Sequence, residues 1–140
     1  MIYVDTSVWV ALLTKEISTA VISAWFARSD AVLISADWTL TEFHSAISIK
    51  VRTGQIDTVQ ASAVLDLFEQ LGAGGMTLAP VSRTAFRAAA ALVDDPRHGL
   101  RGADALHLAV AQELAVQRFA SLDGNQSASA ERLGFVLESF

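Results

Sequence analysis

Four acidic residues fall where a packed domain has little structural use for charge. Asp5 follows the apolar run Ile2-Tyr3-Val4, and Asp123 follows Phe119-Ala120-Ser121-Leu122. Asp104 lies in the first turn of a helical pattern that is otherwise apolar, with Ala105, Leu106, Leu108, Ala109 and Val110. Glu42 lies early in another helical pattern, after the β-branched run at 32–35. Two carboxylates about 4 Å apart repel by roughly 4 kcal/mol at an effective dielectric near 20. A gathered set of four stays ionised only with cations among them, and otherwise takes up protons. Oxygen donors without His or Cys suit Mg²⁺ or Mn²⁺ rather than zinc. An open site of that kind suits phosphodiester hydrolysis.

Each acid also has an ordinary explanation. Asp5 can serve only as a helix cap, Glu42 as a solvated helical residue, Asp104 as a dipole partner, and Asp123-Gly124 as a turn. Taken together these weaken, because unrelated surface acids need not share one edge of a sheet. Thr6 and Ser7 can orient Asp5 or hold a metal's water, and can equally cap the helix that follows. Asn125 can add a neutral oxygen or support Asp123, or be a turn residue. His107 stands one turn beyond Asp104. Its apolar neighbours favour a satisfied, half-buried histidine over a general base. His44 and His98 have no supporting pattern. Arg97 and Arg101 precede Asp104 and can meet substrate phosphates, or remain solvated loop charges. Trp9, Trp25 and Trp38 fall on apolar helical faces and read as core or interface.

The elements that must position these residues alternate along the chain. Short β-rich runs at 2–4, 32–35, 76–81, 118–122 and 135–137 are separated by helical patterns. The helices are expected at 8–14, capped by Thr6 or Ser7, and at 19–28, 38–52, 57–72, 83–94, 103–116 and 125–133. Leu40, Phe43, Ile47 and Val51 mark the apolar face of the third helix, and Gly54 its end. Five strands separated by helices imply a parallel sheet covered on both faces, a three-layer α/β/α sandwich in one domain over 1–140. In such sheets, sites collect at the carboxyl ends of the strands near the reversal of strand order. Asp5, Glu42, Asp104 and Asp123 are all expected at that edge.

Composition narrows the classes. The chain has 140 residues, 52% apolar, with 15 Asp plus Glu against 10 Lys plus Arg. That is ample for a core and argues against disorder. A net charge of −5 argues against a protein that coats nucleic acid, though not against a nuclease whose cations reverse the local field. Without Cys there is neither a disulfide framework nor a thiolate site. No Gly-Lys-Ser/Thr occurs, which excludes a Walker phosphate loop. The longest apolar runs have six residues, too short for a membrane span, and the start lacks a signal-peptide pattern. A cytoplasmic protein is expected.

Ile-Tyr-Val-Asp-Thr-Ser at 2–7, Leu-Thr-Glu-Phe at 40–43, Leu-Arg-Gly-Ala-Asp-Ala-Leu-His-Leu-Ala at 100–109 and Phe-Ala-Ser-Leu-Asp at 119–123 occur in that order. This set resembles the PIN-domain ribonucleases, and most nearly the VapC toxins of bacterial type II toxin–antitoxin pairs. The resemblance spans essentially the whole chain, and the segment around Asp104 is its most specific piece. It implies a PIN-like five-stranded parallel sheet and a Mg²⁺- or Mn²⁺-dependent endoribonuclease leaving 5′-phosphate and 3′-hydroxyl ends. Asp5 and Asp104 would be the main metal ligands, Glu42 and Asp123 would complete the site, and Ser7 would be a nearby hydroxyl. It further implies a homodimer and a VapB-type antitoxin docking over an apolar groove between helices.

Two other readings are weaker. A haloacid-dehalogenase-like phosphatase has Asp-x-Asp after its first strand, whereas this chain has Asp5-Thr6-Ser7 and no lysine after Lys50. A receiver domain lacks support for the same reasons. A non-catalytic module whose acids hold a structural cation is the alternative of a different class.

Overall fold

The computed structural model describes residues 1–140. Its elements in chain order are β1 (Ile2–Val4), α1 (Thr6–Leu13), α2 (Thr19–Arg28), β2 (Leu33–Ala36), α3 (Trp38–Arg52), α4 (Thr58–Gly74), β3 (Thr77–Ala79), α5 (Arg83–Asp94), α6 (Gly102–Glu113), β4 (Arg118–Ala120), α7 (Gly124–Arg132) and β5 (Val136–Leu137). The strands form one sheet of order β3-β2-β1-β4-β5, and every pairing is parallel. This is the expected α/β/α sandwich. The chain builds outward from β1 through β2 to β3, then returns to place β4 on the other side of β1. The order therefore reverses beside β1, at the β1–β4 junction.

Alternation along β1 divides the interior into two cores. Ile2 and Val4 point into one, with Val8, Trp9, Ile22, Trp25, Phe43, Ile47 and Phe68 from α1 to α4. Tyr3 points into the other, with residues of α5, α6 and α7. Phe43 and Phe68 stack with centroids 4.0 Å apart, locking α3 onto α4. Trp9 and Trp25 are core residues, as their helical positions suggest.

Several expectations need correction. The buried face of α3 is Thr39, Phe43, Ile47 and Lys50; Leu40 is exposed. Lys50 was invisible to the apolar pattern because its ammonium is buried on an ion pair with Glu16. The β3 strand covers only Thr77–Ala79 and stops before Pro80, whose missing N–H cannot extend the ladder. β4 ends at Ala120, and α6 at Glu113. Ala115 then takes a left-handed φ of 52°, which closes that helix before Val116. The cap of α1 is Asp5 rather than Thr6 or Ser7.

Candidate active site

Asp5 leaves β1 at the centre of the sheet's carboxyl edge. Its N–H bonds Ala120 O, continuing the β1–β4 ladder for one more step. Its carboxylate caps α1 by accepting from Ser7 N at 3.1 Å, and also accepts from Ser7 Oγ at 2.6 Å and Ser121 Oγ at 3.3 Å. All of these donors hold Oδ2. Asp5 thus caps a helix and presents charge to the edge at once, and its two readings are not exclusive. Ser7 Oγ also accepts from Leu122 N at 3.0 Å, tying the start of α1 to the loop that carries Asp123.

Glu42, from the second turn of α3, reaches the same place. Its Oε2 accepts from Thr6 Oγ1 at 2.5 Å and lies 2.5 Å from His107 Nε2. The indole N–H of Trp38, buried and otherwise unpartnered, lies toward the same carboxylate without reaching hydrogen-bond geometry. Burial alone would raise the Glu42 pKa, but hydrogen bonds and charge from His107 and Thr6 outweigh it and hold the group below its ordinary value.

Asp104 enters from the first turn of α6, half-buried, and Asp123 from the loop after β4, exposed. Burial, and then the charges of Asp123, Asp5 and Glu42, push the Asp104 carboxyl above its ordinary range. Asp123 also caps α7 by accepting from Gln126 N at 2.8 Å. Asp5, Glu42, Asp104 and Asp123 all line one open depression of about 440 Å³, with Thr6, Ser7 and Glu16.

The other sequence candidates separate. Asn125 is exposed and does not line the depression; the buried amide is Gln126, one residue on. Gln126 Oε1, 2.7 Å from Ser121 Oγ, shares that hydroxyl's single proton with Asp5, and the Gln126 amide donates to Asp104 O at 3.4 Å, joining the Asp5 and Asp104 sides of the site. Arg97 is exposed and bound in bidentate fashion to Asp95, and Arg101 is exposed at the start of α6; neither lines the depression. Glu16 does line it, paired through Oε1 to Lys50 Nζ at 2.8 Å. The available signal for Glu16 was Lys50 itself, three residues beyond Ile47 on a buried face, where an ammonium requires an acid.

His107 corrects the expectation of a site without histidine. It is fully buried rather than half-buried, and it is satisfied on both nitrogens. Nδ1 lies 2.7 Å from Tyr3 OH, while Nε2 faces Glu42 and lies 3.5 Å from Asp5 Oδ1 and 3.3 Å from Thr6 Oγ1. Burial lowers its pKa, but Glu42 and Asp5 overcome this and leave it raised.

The donor set can be tested against a divalent cation. Donor atoms of Asp5, Glu42 and His107 lie within 4.8 Å of one another. The polar lining of the depression is carboxylates and hydroxyls, beside Val10, Ala46 and Leu122, and includes no cationic side chain. Hard oxygens with unbalanced negative charge fit a hard cation of the Mg²⁺ or Mn²⁺ kind.

A groove lined by Trp38, Phe86, Ala89, Val93, Ala103 and Leu106 opens between α5 and α6 with a volume of about 430 Å³. Phe86 is 55% exposed there. No helix is long and apolar enough to cross a membrane.

Comparison with known proteins agrees with this architecture. No curated protein matches the chain in sequence. Among solved structures it is similar to the Mycobacterium tuberculosis toxin VapC20, described as cleaving the sarcin–ricin loop, with 23% identity, a TM-score of 0.72 and 97% of each chain covered. It is similar to FitAcB from Neisseria gonorrhoeae, with 16% identity, a TM-score of 0.75 and coverage of 99% of this chain and 97% of that one. It is also similar to VapBC2 from Rickettsia felis, solved bound to a promoter DNA fragment, with 15% identity, a TM-score of 0.65 and coverage of 100% and 99%. These likenesses establish the fold. The PIN-domain family model matches residues 2–131, and the chain belongs to the PIN-domain family.

Proposed function

We propose that this chain is a divalent-metal-dependent endoribonuclease and the toxin of a toxin–antitoxin pair. The observation that carries the reading is the convergence of Asp5, Glu42, Asp104 and Asp123, from four separate stretches of chain, on one open depression with no cation among its lining side chains. Asp5 and Asp104 would be the main holders of Mg²⁺ or Mn²⁺, with Glu42 and Asp123 completing the set. A bound divalent ion supplies charge neutralisation at a phosphate and acidification of water.

The chain's own residues do the positioning. Ser7 and Ser121 hold Asp5 Oδ2, leaving Oδ1 directed toward Glu42 and His107. Thr6 and His107 hold Glu42 Oε2. Asp104, raised by burial and by its acidic neighbours, holds a proton more readily than a solvated aspartate when no cation is bound. The depression is open, so an extended RNA strand can reach the acids without a lid.

The relatives support the biological setting. VapC20 is described as a sarcin–ricin-loop-cleaving toxin, and VapBC2 was solved bound to a DNA fragment from its promoter. By that analogy a VapB-type antitoxin would lay an apolar segment in the groove beside Phe86, the chain would pair as a homodimer, and its work would be in the cytoplasm. The apolar lining of that groove and the exposure of Phe86 support a protein partner there.

Purified protein incubated with total RNA should cleave it with Mg²⁺ or Mn²⁺ and stop with EDTA. Asp5→Asn should abolish cleavage while the thermal transition holds or rises, because like-charge repulsion is relieved. Metal-dependent stability without RNA cleavage would instead identify a non-catalytic cation-binding module, and phosphate release from small esters a phosphatase.

A further inference from the structure

We propose that His107, oriented by Tyr3, is a positioning residue that fixes the Glu42 carboxylate against Asp5, and is not itself a ligand of the cation. This deepens the reading of Asp5 and Glu42 as cation holders and rests on it. Tyr3 OH lies 2.7 Å from His107 Nδ1. The phenol is held in place by stacking on Phe119 at 5.3 Å, with the ring planes 8° apart. It also meets the imidazole edge-on at 5.7 Å.

In the neutral ring Tyr3 donates to Nδ1, and the ring proton is then on Nε2. In the charged ring both nitrogens carry protons. The remaining tautomer would aim a bare Nε2 lone pair at Glu42 Oε2 from 2.5 Å, a contact between two acceptors. In each favourable state Nε2–H therefore points at the carboxylates. A nitrogen that donates to Glu42 cannot also give its lone pair to a cation. The proximity of Asp5, Glu42 and His107 is then two ligands and their support rather than three ligands.

Burial adds a second argument. His107 has no exposed surface, whereas Glu42 is only partly covered. The ring lies behind the carboxylate, on the side away from the open depression, whose lining does not include it. The arrangement matches the general device in which an outer hydrogen-bond partner orients a metal-binding side chain. Thr6 Oγ1 completes it from the start of α1, so β1, α1, α3 and α6 all contribute to the placement of one carboxylate.

The test is Mn²⁺ titration by calorimetry on wild type, Asp5→Asn, His107→Leu, His107→Gln and Tyr3→Phe, paired with ¹⁵N NMR of the His107 ring at pH 8. Loss of an outer partner costs about 10–100-fold in metal affinity. His107→Leu should show that loss, and His107→Gln, whose amide N–H occupies the place of Nε2–H, should restore most of it. Tyr3→Phe keeps the ring and the packing, and should weaken Mn²⁺ binding by less than His107→Leu. In the wild type Nε2–H should persist at saturating Mg²⁺. Equal loss in the Gln and Leu variants, or loss of the Nε2 proton on Mg²⁺ binding, would make His107 a ligand and overturn the proposal. So would wild-type affinity in His107→Leu. If that variant does not fold, wild-type affinity and ring tautomer in Tyr3→Phe would overturn the orienting role. If wild-type Mn²⁺ binding does not depend on Asp5, the underlying metal-site reading fails, which the Asp5→Asn titration reveals independently.

Discussion

The two ends of β4 treat acids in opposite ways. At its start, Arg118 grips Glu138 through Nε at 2.6 Å and Nη2 at 3.0 Å, and Trp25 Nε1 donates to the same carboxylate at 3.0 Å. The Glu138 side chain is 7% exposed, and its charge is matched by a planar guanidinium. Beyond the other end, Asp5, Asp104 and Asp123 share a depression without an arginine or lysine on its lining. Their partners are hydroxyls, backbone N–H groups and a neighbouring histidine. Both ends hold a buried carboxylate, Glu138 at one and Asp5 at the other, but only the first is met by a guanidinium. The same fold thus matches an acid with arginine at one edge and leaves a set without arginine or lysine at the other, as the proposed cation site requires.

Substitutions that should act at one end and spare the other sharpen this contrast. The largest effect is expected from Asp104→Asn, which should lower metal-dependent RNA cleavage by more than about a thousandfold, as removal of a central group of a catalytic unit does. Its melting temperature in EDTA should hold or rise. Glu138→Ala should do the reverse: cleavage stays at the wild-type level, while urea unfolding shows a loss of about 1–3 kcal/mol, the range for charged hydrogen bonds partly open to solvent. Equal stability losses from the two variants would end the distinction.

A smaller effect concerns pH. Asp104 has a folded pKa above its unfolded one, because of burial and then its acidic neighbours. Between those two values the folded state binds more protons, so its contribution to stability falls as pH rises through that window. Glu42 is held below its ordinary value and acts in the opposite sense at lower pH, and His107, raised, loses its contribution as pH rises through its own folded pKa. The difference between wild type and Asp104→Asn in EDTA isolates the first effect. It should grow in favour of the variant as pH rises from just above the usual aspartate range, and Mg²⁺ should reduce it. A difference independent of pH would mean that Asp104 is not crowded by its neighbours.

The sheet, its parallel sense and most helices were legible in the sequence, because short β-branched runs alternating with capped helical segments are local signals. The edge position of the four acids followed from topology. Other features were less local. On α3 the buried positions Thr39 and Lys50 are polar, so an apolar pattern passes over them to Leu40 and Val51, and the acid that pairs with Lys50, Glu16, lies 34 residues away. Ser121 and Gln126 look like loop and helix-start residues until the fold joins them to Asp5 and Asp104. Asn125 was the wrong amide because the first turn of α7 faces its next residue inward. Tyr3 and His107 are 104 residues apart, and neither their contact nor the depth of the ring is written in spacing.

Asp5 and Asp123 each open a helix by accepting a backbone N–H, from Ser7 and Gln126 respectively. Asparagine performs that service about as well as aspartate. A change of one heteroatom at either position can therefore remove one of the edge's charges without disturbing the helix cap that supports it. For a nuclease of this design, silencing and misfolding are separate events. A silenced copy would remain well formed, with the apolar groove beside Phe86 unchanged.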